Sequence, residues 1–514
     1  TGIHFGGVGD FKNLGGLQMF ITNVLTQHAL DRPEETAIVF ENNEWTYREL
    51  YNNARKVACY LQSRGYKKGD IIAQFMLNSD LFMAVYYGVQ LAGCTIMPVN
   101  TKLAAPEIDY IFIHSEAIAL FYDEALARTL EDTNYLFEEE LNLQDIRAII
   151  EDDSCVTDNF ASLEEDETAV VMYTSGTTGK PKGVMLSHRN VYETAKIWSE
   201  SMNMTSSDRM YICTPLFHCA GSHVFAVPTM YRGGAVIIAE SFSPDRTLID
   251  LVETEATIFF GVPAMYAILL NKPQLSTYSF KYLRLFCYGA APMPYELVKR
   301  LKETFPNVAV QNLYGQTENT PAATSLLDDA ALTKIGSVGK PLARTEVKLL
   351  NVDGEEVALG EVGEICVRGP QVMKGYLRNP EETSNTIRNG WLHSGDLGRF
   401  DDEGYLYIVD RKKDMIIRGG ENIYPIEIEE VLYQMPEILE AAVVGIPHEV
   451  YGEVPKAFVV LKEGQVLTET DILNYMKTQL AKYKVPAEVQ FIASLPRNAS
   501  GKVLKHTLRP TQNV

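Results

Sequence analysis

Tyr173-Thr174-Ser175-Gly176-Thr177-Thr178-Gly179-Lys180-Pro181-Lys182-Gly183 is the stretch of this sequence that says most about the fold. It directly follows Ala169–Met172, an apolar run of strand length. Its glycines let the backbone turn tightly and come close to a ligand. Its hydroxyl groups and lysines supply donors and positive charge, which suits a polyphosphate. The loop lacks the GxxxxGKS/T spacing of a Walker A loop, and the alternative interpretation is a polar turn between two strands.

Outward from this loop, apolar runs of strand length alternate with helical stretches over most of the chain. Ile71–Met76 predicts a strand, and Leu81–Leu91 predicts a helix that ends at a break of small residues. This alternation is typical of parallel sheets covered by helices, so we expect an α/β fold. Further runs that predict strands are Ala117–Tyr122, Ala169–Tyr173, Ala235–Ala239 and Leu283–Tyr288.

The pattern changes near residue 340 and again near residue 410. Between these positions, short strands such as Glu346–Leu350 and Gly363–Val367 alternate with turns rich in Gly and Asp, which predicts a β-rich subdomain. A charged cluster, Arg411-Lys412-Lys413-Asp414, precedes the strand-like runs Ala441–Ile446 and Ala457–Leu461 and a helical period over Glu469–Tyr483. We therefore expect an N-terminal domain at 1–410 with a β-rich part at 340–410, a hinge at 410–413, and a small α+β domain at 411–514.

Composition narrows the classes of function. The chain has 514 residues and a formal net charge of −21, with 46 Lys and Arg against 67 Asp and Glu. This balance argues against nucleic-acid binding, which needs clustered cations, but not against a nucleotide held locally by backbone N–H groups. The seven cysteines include no CxxC pair, so we expect neither a zinc cluster nor a disulfide framework, and a cytoplasmic location fits best. We expect no signal peptide and no transmembrane segment.

The loop also carries a resemblance to a known family. Its string matches the signature aromatic–Ser/Thr–SGTTGxPKG, and further family motifs recur in order from Thr46-Tyr47-Arg48-Glu49-Leu50 to Lys502. The chain thereby resembles the adenylate-forming superfamily, which comprises acyl-CoA synthetases, adenylation domains of non-ribosomal peptide synthetases and firefly-type luciferases. It looks most similar to bacterial fatty-acyl-CoA and 4-coumarate-type CoA ligases. The resemblance implies an AMP-binding N-terminal domain and a C-terminal domain that swings about the hinge.

The resemblance implies that the loop binds the phosphates of ATP. Thr178 would then have a catalytic role, and Thr174 would lie beside the metal ion. The residues expected to bind ATP or AMP are Thr174, Ser175, Gly176, Thr177, Thr178, Lys182, Gly289, Ala290, Ala291, Asn312, Leu313, Tyr314, Gly315, Thr317, Asp396, Arg411 and Lys502.

Asn312-Leu313-Tyr314-Gly315-Gln316-Thr317-Glu318 resembles the motif that binds adenine and the metal ion. Tyr314 offers an aromatic face on which adenine can stack, and Asn312 can pair with the adenine edge. Thr317 would donate to the α-phosphate. Glu318 would supply a hard carboxylate oxygen to Mg²⁺, which prefers oxygen ligands. A Tyr and a Glu four positions apart are otherwise more often neighbours on a helix face.

Pro215-Leu216-Phe217-His218 resembles the motif that lines the acyl pocket and the entry of pantetheine. Tyr288-Gly289-Ala290-Ala291-Pro292 follows an apolar strand, and its small residues leave room for a planar base. The residues expected in the acyl pocket are His218, Gly261, Val262 and Ala290, and His218 is also a catalytic candidate. A single histidine is otherwise usually a core residue, which is our interpretation of His223.

Three further motifs complete the expected site. In Trp391-Leu392-His393-Ser394-Gly395-Asp396, Asp396 would accept both ribose hydroxyls, since one carboxylate has enough lone pairs for two donors. Arg411 would contact ribose and phosphate. By the same resemblance, Lys413 is the hinge residue and Lys502, near the end of the chain, is the catalytic lysine of the first half-reaction. The glycines expected to let the pantetheine arm pass are Gly419 and Gly420. Turn aspartates and solvated lysines are the simpler alternatives.

These expectations predict an ATP-dependent enzyme that activates a carboxylic acid as its acyl-adenylate and transfers the acyl group to coenzyme A, with Mg²⁺ as the cofactor. The stretch Cys219–Phe225 holds no carboxylate that could pair with an ammonium group, which disfavours amino acids. The apolar pocket residues favour a medium- to long-chain fatty acid. Ser222 stands where some long-chain synthetases have a gating tryptophan.

Other functions stay open. The alternatives are an aryl-acid CoA ligase, an adenylating enzyme that loads a carrier protein, and an inactive nucleotide-binding relative. The last is disfavoured by the joint presence of Thr178, Glu318, Asp396 and Lys502. The expected partners are small molecules, namely the acid, ATP and coenzyme A. Peripheral membrane contact and a homodimer are not excluded.

Overall fold

Helices and strands alternate through the first part of the chain, as the apolar runs predict. The computed structural model describes residues 20–154, 160, 162–174, 180–290, 293–419, 421–497 and 501–510. The first elements are α1 Ile21–Asp31, β1 Thr36–Phe40, β2 Asn43–Thr46, α2 Tyr47–Ser63, β3 Ile71–Phe75, α3 Asp80–Leu91, β4 Thr95–Pro98, α4 Ala105–Ser115, β5 Ala119–Tyr122, α5 Ala127–Glu131, β6 Glu139–Leu141 and α6 Leu143–Glu151.

The middle of the chain continues this alternation. Its elements are β7 Thr168–Tyr173, β8 Gly183–Ser187, α7 His188–Ser201, β9 Arg209–Ile212, a π-helix Ala220–Ala226, α8 Val227–Tyr231, β10 Ala235–Ile238, α9 Pro244–Glu253, β11 Ile258–Phe260, α10 Pro263–Leu270, β12 Leu285–Gly289, α11 Tyr295–Thr304 and β13 Ala309–Tyr314. Short 3₁₀ turns occupy Glu124–Leu126, Pro273–Thr277, Thr317–Asn319 and Asp328–Ala330.

Strands dominate from residue 324 to residue 411, and an α+β unit follows. The strand-rich elements are β14 Thr324–Leu326, β15 Ser337–Pro341, β16 Glu346–Leu350, β17 Gly363–Arg368, β18 Gly375–Tyr376, α12 Pro380–Thr386, β19 Ile387–Arg388, β20 Trp391–Phe400 and β21 Leu406–Arg411. The last elements are β22 Ile416–Arg418, β23 Glu421–Ile423, α13 Pro425–Tyr433, β24 Ile438–His448, β25 Gly452–Leu461, α14 Glu469–Gln479, β26 Glu488–Phe491 and α15 Lys505–Leu508.

The described strands form three sheets. The largest runs in the order β16-β17-β20-β21-β15-β14-β13-β12-β11-β9-β10-β1-β2, with β19 beside β20. The second runs β18-β8-β7-β4-β3-β5-β6, and the third runs β23-β22-β25-β24, with β26 beside β25. In the helix-covered part of the first sheet, the neighbouring strands in the run β13-β12-β11-β9-β10-β1 are all parallel. The edge strand β2 pairs antiparallel with β1. The expected α/β class is confirmed, and the strands after residue 324 add an antiparallel extension to the first sheet.

A layer of helices packs between the two large sheets. The main core joins residues of both sheets with residues of α2, α3 and α7. Every residue of α3 is buried, which explains why its sequence is apolar on all sides. Gly88 allows this close packing, because a Cβ there would lie 2.6 Å from Val57 Cβ on α2. Among the described helices, none combines the length and apolarity that crossing a bilayer requires.

The last domain has its own core. Residues of α13, α14, β24 and β25 form a separate buried cluster centred on Ile428, Val443 and Val459. The helix predicted over Glu469–Tyr483 ends at Gln479, and residues 481–485 form a turn instead. Val485 still packs into the cluster, so the apolar period continued beyond the helix itself.

Candidate active site

The predicted phosphate loop connects two paired strands. β7 and β8 pair antiparallel, with Tyr173 opposite Gly183. At the base of the turn, Thr174 N–H donates to Lys182 O at 3.0 Å, and Lys182 N–H approaches Thr174 Oγ1 at 3.4 Å. The hairpin therefore fixes both ends of the loop. Four predicted ATP-binding residues lie outside the described residues, namely Ser175, Gly176, Thr177 and Thr178.

Tyr376 joins the base of this loop to the predicted metal ligand. Lys182 Nζ lies 4.6 Å from the centroid of the Tyr376 ring and donates to Glu382 Oε1 at 2.7 Å. The Tyr376 hydroxyl donates to Glu318 Oε1 at 2.9 Å. Burial, and then the charge of Glu318, raise the pKa of Tyr376, so its hydroxyl keeps its proton. The ring of Tyr376 therefore contacts the Lys182 ammonium, and its hydroxyl contacts the Glu318 carboxylate.

Asp396 is the centre of a second cluster. It lies directly opposite Arg411 in the β20–β21 ladder, and Arg411 Nη1 donates to Asp396 Oδ1 at 2.5 Å. The Tyr314 hydroxyl and Gln316 Nε2 donate to Asp396 Oδ2 at 2.6 and 2.9 Å. The structure therefore brings together the residues expected to bind adenine and ribose, from segments about 80 positions apart.

The electrostatics of this cluster keep Tyr314 protonated and Arg411 charged. Burial, and then the neighbouring Asp396 carboxylate, raise the pKa of Tyr314 well above its ordinary value. Burial acts to lower the pKa of Arg411, but the charge and hydrogen bond of Asp396 outweigh it and raise the pKa. Tyr314 is therefore a neutral donor and Arg411 a permanent cation at neutral pH.

The carboxyl ends of β12 and β13 form a surface of small groups. Gly289 faces Leu313, and a Cβ on Gly289 would lie 2.6 Å from Leu313 O. A Cβ on Gly315 would lie 2.4 Å from backbone of the following turn. Ala290 is exposed and has φ +64°, while Asn312 is buried on β13. Ligands commonly bind beyond the carboxyl ends of parallel strands, and this is where the predicted adenine-binding residues lie.

Glu318 fits the chemistry of a magnesium site. It lies in the 3₁₀ turn that begins at Thr317, and Tyr376 contacts only one of its two oxygens. A carboxylate oxygen is the ligand type that Mg²⁺ prefers, usually together with waters and substrate phosphates. Thr174 was the second expected metal residue, and its described contacts are with Lys182. A role for Thr174 at the metal stays a prediction.

Lys502 belongs to the C-terminal domain and lies near both the Glu318 and the Asp396 cluster. We call the space between these two clusters the cleft. Lys502 follows Gly501, whose φ of +83° makes a tight turn, and its side chain is exposed within the cleft. Burial and then the charge of Arg411 lower the pKa of Lys502, while Asp396 and Glu318 oppose the shift. The ammonium group therefore lies within electrostatic range of both clusters.

The hinge residues lie beside the cleft. Burial, and among nearby charges Arg411 and Lys502, lower the pKa of Lys413, and Asp414 opposes this shift. Gly419 lies instead on the hairpin of the third sheet, where its N–H donates to Tyr451 O at 2.8 Å. Two further predicted residues, Ala291 and Gly420, lie outside the described residues.

His218 marks the predicted acyl pocket. Its side chain is exposed in a cleft, and Ala220 N–H donates to its Nδ1 at 3.2 Å. Burial by the cleft walls, and then Lys102, lower the pKa of His218. Gly261 and Val262 lie at the end of β11, where Phe260 packs against Phe225 with ring centroids 4.6 Å apart. The walls around these positions are apolar and aromatic.

His223 belongs to the core rather than to this pocket. It is buried, its Nε2 lies 2.6 Å from the Tyr86 hydroxyl, and burial lowers its pKa to about 3. Its Nδ1 contacts the Cys219 thiol at 3.2 Å.

Several residues of the site escaped the sequence analysis. Gln316 was inside a recognised motif, and its amide in such a string was a usable signal. Tyr376 and Glu382 are separated from Glu318 and Lys182 by 58 and 200 positions. Neither lies in a pattern with a chemical meaning of its own, so only the fold reveals them.

Two families match the chain. The family described as AMP-binding enzyme matches residues 25–377, and the family described as AMP-binding enzyme C-terminal domain matches residues 427–502.

Named relatives cover nearly the whole chain. A feruloyl-CoA synthase of Amycolatopsis sp is 37% identical over 478 residues, 93% of this chain and 96% of that one. The long-chain-fatty-acid–CoA ligase FadD13 of Mycobacterium tuberculosis is 35% identical over 518 residues, 97% of this chain and 98% of that one. The solved structure of o-succinylbenzoate coenzyme A synthetase (MenE) from Bacillus subtilis with ATP and magnesium ion superposes with a TM-score of 0.85 and 33% identity, covering 95% of this chain and 99% of that one.

Proposed function

This chain belongs to the AMP-binding enzyme family, and on that premise we propose that it joins a hydrophobic monocarboxylic acid to coenzyme A through an acyl-adenylate. It is an ATP-dependent, AMP-forming acid–thiol ligase that uses ATP, Mg²⁺ and coenzyme A. The observation that supports the proposed roles most is the convergence of Tyr314, Asp396 and Arg411 with the exposed ammonium of Lys502 in one cleft.

The first half-reaction forms a mixed anhydride. A carboxylate oxygen of the acid attacks the α-phosphorus of ATP, the bond to the bridging oxygen breaks, and pyrophosphate leaves. Asp396 would hold the ribose and Tyr314 the adenine, so that the α-phosphate faces the acid. Lys502 and Arg411 would offset the negative charge that develops on the phosphate oxygens, since such transfers depend mainly on positioning and charge stabilisation. Mg²⁺ bound near Glu318 would draw further negative charge from the phosphates.

The second half-reaction moves the acyl group to sulfur. The thiol of coenzyme A attacks the acyl carbon, the bond to the phosphate oxygen breaks, and AMP leaves. Lys502 has no task in this step. We propose that the C-terminal domain turns about Lys413 and brings the loop with Gly419 and Gly420 to the cleft in its place.

The acid is proposed to be a medium-chain fatty acid or one of similar length. The walls at Gly261 and Val262 are apolar, and burial of an acyl chain against them contributes about 25 cal/mol per Å². Phe260 immediately precedes these positions, is buried, and packs against the buried ring of Phe225, which adds aromatic surface to this end of the proposed pocket. The same aromatic pair supports an aryl acid as the second candidate, since aromatic rings pack favourably against one another.

A panel of acids tests this proposal. Pyrophosphate and AMP release are measured with acetate, octanoate, palmitate, benzoate and cinnamate, each with and without coenzyme A. We expect octanoate to give the highest kcat/KM, and AMP release to require coenzyme A. Release that ignores coenzyme A would indicate a carrier protein as the acceptor. No ATP-to-AMP conversion with any acid would contradict the proposal.

We also propose a cytoplasmic location. Six cysteines lie among the described residues, and all six are buried thiols without a disulfide. Thiols persist in reducing compartments, which supports this location.

A further inference from the structure

The strand that carries Asp396 is irregular next to Asp396. In the β17–β20 ladder, Glu364 faces Leu397 and Cys366 faces His393. One residue of β17 therefore lies opposite residues 394–396 of β20, which form a bulge. Bulges redirect side chains near active sites, and this bulge directs Asp396 toward Tyr314 and Arg411.

Glu364 supports the bulge from the side of β17. Its side chain is buried, and its Oε1 accepts the N–H of Gly395 at 3.2 Å. From the other side, Gly395 O accepts the N–H of Lys412 at 2.9 Å. Gly395 has φ +71°, a conformation that suits glycine and needs such support. The residue immediately before Asp396 is thus held by hydrogen bonds on both its polar groups.

The second oxygen of Glu364 reaches the hinge segment. Lys412 Nζ and His393 Nδ1 each lie 3.0 Å from Glu364 Oε2, and Arg388 lies 3.6 Å away. Burial acts to raise the pKa of Glu364, but the hydrogen bonds from His393 and Lys412 outweigh it and lower the pKa. The carboxylate is therefore ionised at neutral pH. Lys412, which pairs with it, immediately precedes the proposed hinge residue Lys413.

We propose that Glu364 is a positioning residue for the nucleotide, which acts through Gly395 on Asp396 and links that loop to the hinge through Lys412. It touches neither substrate nor the reacting atoms. This inference rests on the proposed function, because it assigns the ribose of ATP to Asp396. Its task is to keep the bulge in the one shape in which the Asp396 carboxylate faces the ribose hydroxyls.

The variant Glu364→Gln separates this role from general stability. The amide can still accept the N–H of Gly395, but it places a donor where Lys412 also donates. We expect the Kd for AMP, measured by calorimetry, to rise about tenfold, because a charge-assisted contact that orients Asp396 is lost. We also expect the preference for ATP over 2′,3′-dideoxyATP in pyrophosphate exchange to fall by about the same factor.

Glu346→Gln is the matched control. Glu346 pairs with Arg368 on the same sheet at 2.7 Å, but this ion pair is exposed and lies away from the bulge. The control should leave the Kd for AMP and the dideoxyATP preference unchanged. If Glu364→Gln only lowers the melting temperature and both nucleotide readouts stay at wild-type values, the inference is overturned.

Lys412→Met gives an independent test with an exposed side chain, whose loss does not endanger folding. It keeps the backbone N–H that holds Gly395 O. We expect it to weaken AMP binding in the wild type and to have no further effect in the Glu364→Gln background. Additive effects would contradict a link between these residues. If the wild type shows no exchange with any acid, the proposed function fails, while the AMP titrations still decide the role of Glu364.

Discussion

At the residue scale, Asp396 receives donors from Tyr314, Gln316 and Arg411. A carboxylate offers about four lone-pair positions, so these contacts fix its plane and leave little freedom for it to turn. About one lone-pair position stays open, so a ribose that used both hydroxyls would have to displace one of these donors, although the plane of the carboxylate would not have to turn. Pre-oriented polar groups of this kind are what makes electrostatic stabilisation effective in enzymes.

Lys502→Ala tests the division of labour between the half-reactions. The variant lacks the ammonium that lies near Asp396 and Glu318. We expect acid-dependent pyrophosphate exchange to fall by at least about a hundredfold, since this charge would act on the transferring phosphate. Thioester formation from supplied acyl-adenylate should stay within about threefold of wild type, because the second step does not use this group.

Lys477→Ala is a suitable control for that variant, because Lys477 is an exposed lysine of α14 in the same domain. It should leave both half-reactions unchanged. Equal losses in the two half-reactions of Lys502→Ala would show that the lysine has a structural task instead.

The sequence predicted which of these residues would lie close together better than it predicted the contacts that they make. Tyr314, Asp396, Arg411 and Lys502 were expected together because each lies in a motif of recognisable chemistry. The hydrogen bond from Tyr314 to Asp396 was not expected. The motif does not distinguish a tyrosine that stacks on a base from a tyrosine that orients a carboxylate. Glu364 and Tyr376 had no pattern at all, since their partners lie on strands that are distant in the chain.

At the scale of elements, Asp410 connects β21 to α13. Its Oδ1 accepts the N–H of Arg411 at 2.7 Å, and its Oδ2 accepts the N–H of Ile426 at 2.9 Å. Burial is the main cause that raises the pKa of Asp410 to about 6, and Lys505 opposes it. The carboxyl therefore binds a proton more readily in the folded protein than in the unfolded chain, where its pKa is about 3.9.

Asp410→Asn should reveal this shift as a pH dependence of stability. A raised folded-state pKa stabilises the protein below about pH 4, and this stability is lost as pH rises through about 6. The free energy of unfolding of the variant relative to wild type should therefore increase by on the order of 2–3 kcal/mol between about pH 4 and pH 7. Chemical denaturation at both pH values measures it.

Asp471→Asn provides the opposite sign. Hydrogen bonds from Thr468 lower the pKa of Asp471, so the stability of this variant relative to wild type should decrease as pH rises toward about 4 and should change little between about pH 4 and pH 7. If the relative free energy of unfolding changed with pH in the same way in both variants, the pH dependence could not be assigned to the raised pKa of Asp410.

The elements themselves were largely predictable where they are buried on both faces. The strands and helices around α3 have continuous apolar runs, and their predicted bounds agree with the structure to within two residues. The hairpin of β24 and β25 is longer than predicted because its ends carry exposed polar residues, which leave no apolar signal. The bulge in β20 was beyond prediction, since the side chain that supports it lies on another strand.

At the scale of the whole molecule, the cleft lies where the first sheet, the second sheet and the C-terminal domain meet. The first sheet supplies Tyr314 and Asp396, the second sheet supplies β7 and β8 at the base of the predicted phosphate loop, and the last domain supplies Lys502. A rotation of the last domain would therefore move Lys502 and leave the contacts between Tyr314 and Asp396 intact.

Lys413→Pro tests such a rotation. Proline fixes φ near −65° and so restricts the backbone at the proposed hinge. We expect pyrophosphate exchange to stay within about threefold of wild type and thioester formation to fall by about tenfold or more, because only the second step requires the new orientation. Single-turnover kinetics on each half-reaction measure both effects. Lys413→Ala, which leaves the backbone mobile, should keep both rates.

The pairing of Lys182 with Glu382 has a consequence for what enters the cleft. The cation at the base of the hairpin already has a carboxylate neighbour and an aromatic ring beneath it. A visiting anion must compete with that carboxylate, and a singly charged species such as chloride or acetate offers too little attraction to do so. A nucleotide with several phosphate charges can displace it, so we expect the resting cleft to discriminate against the simple salts of its surroundings.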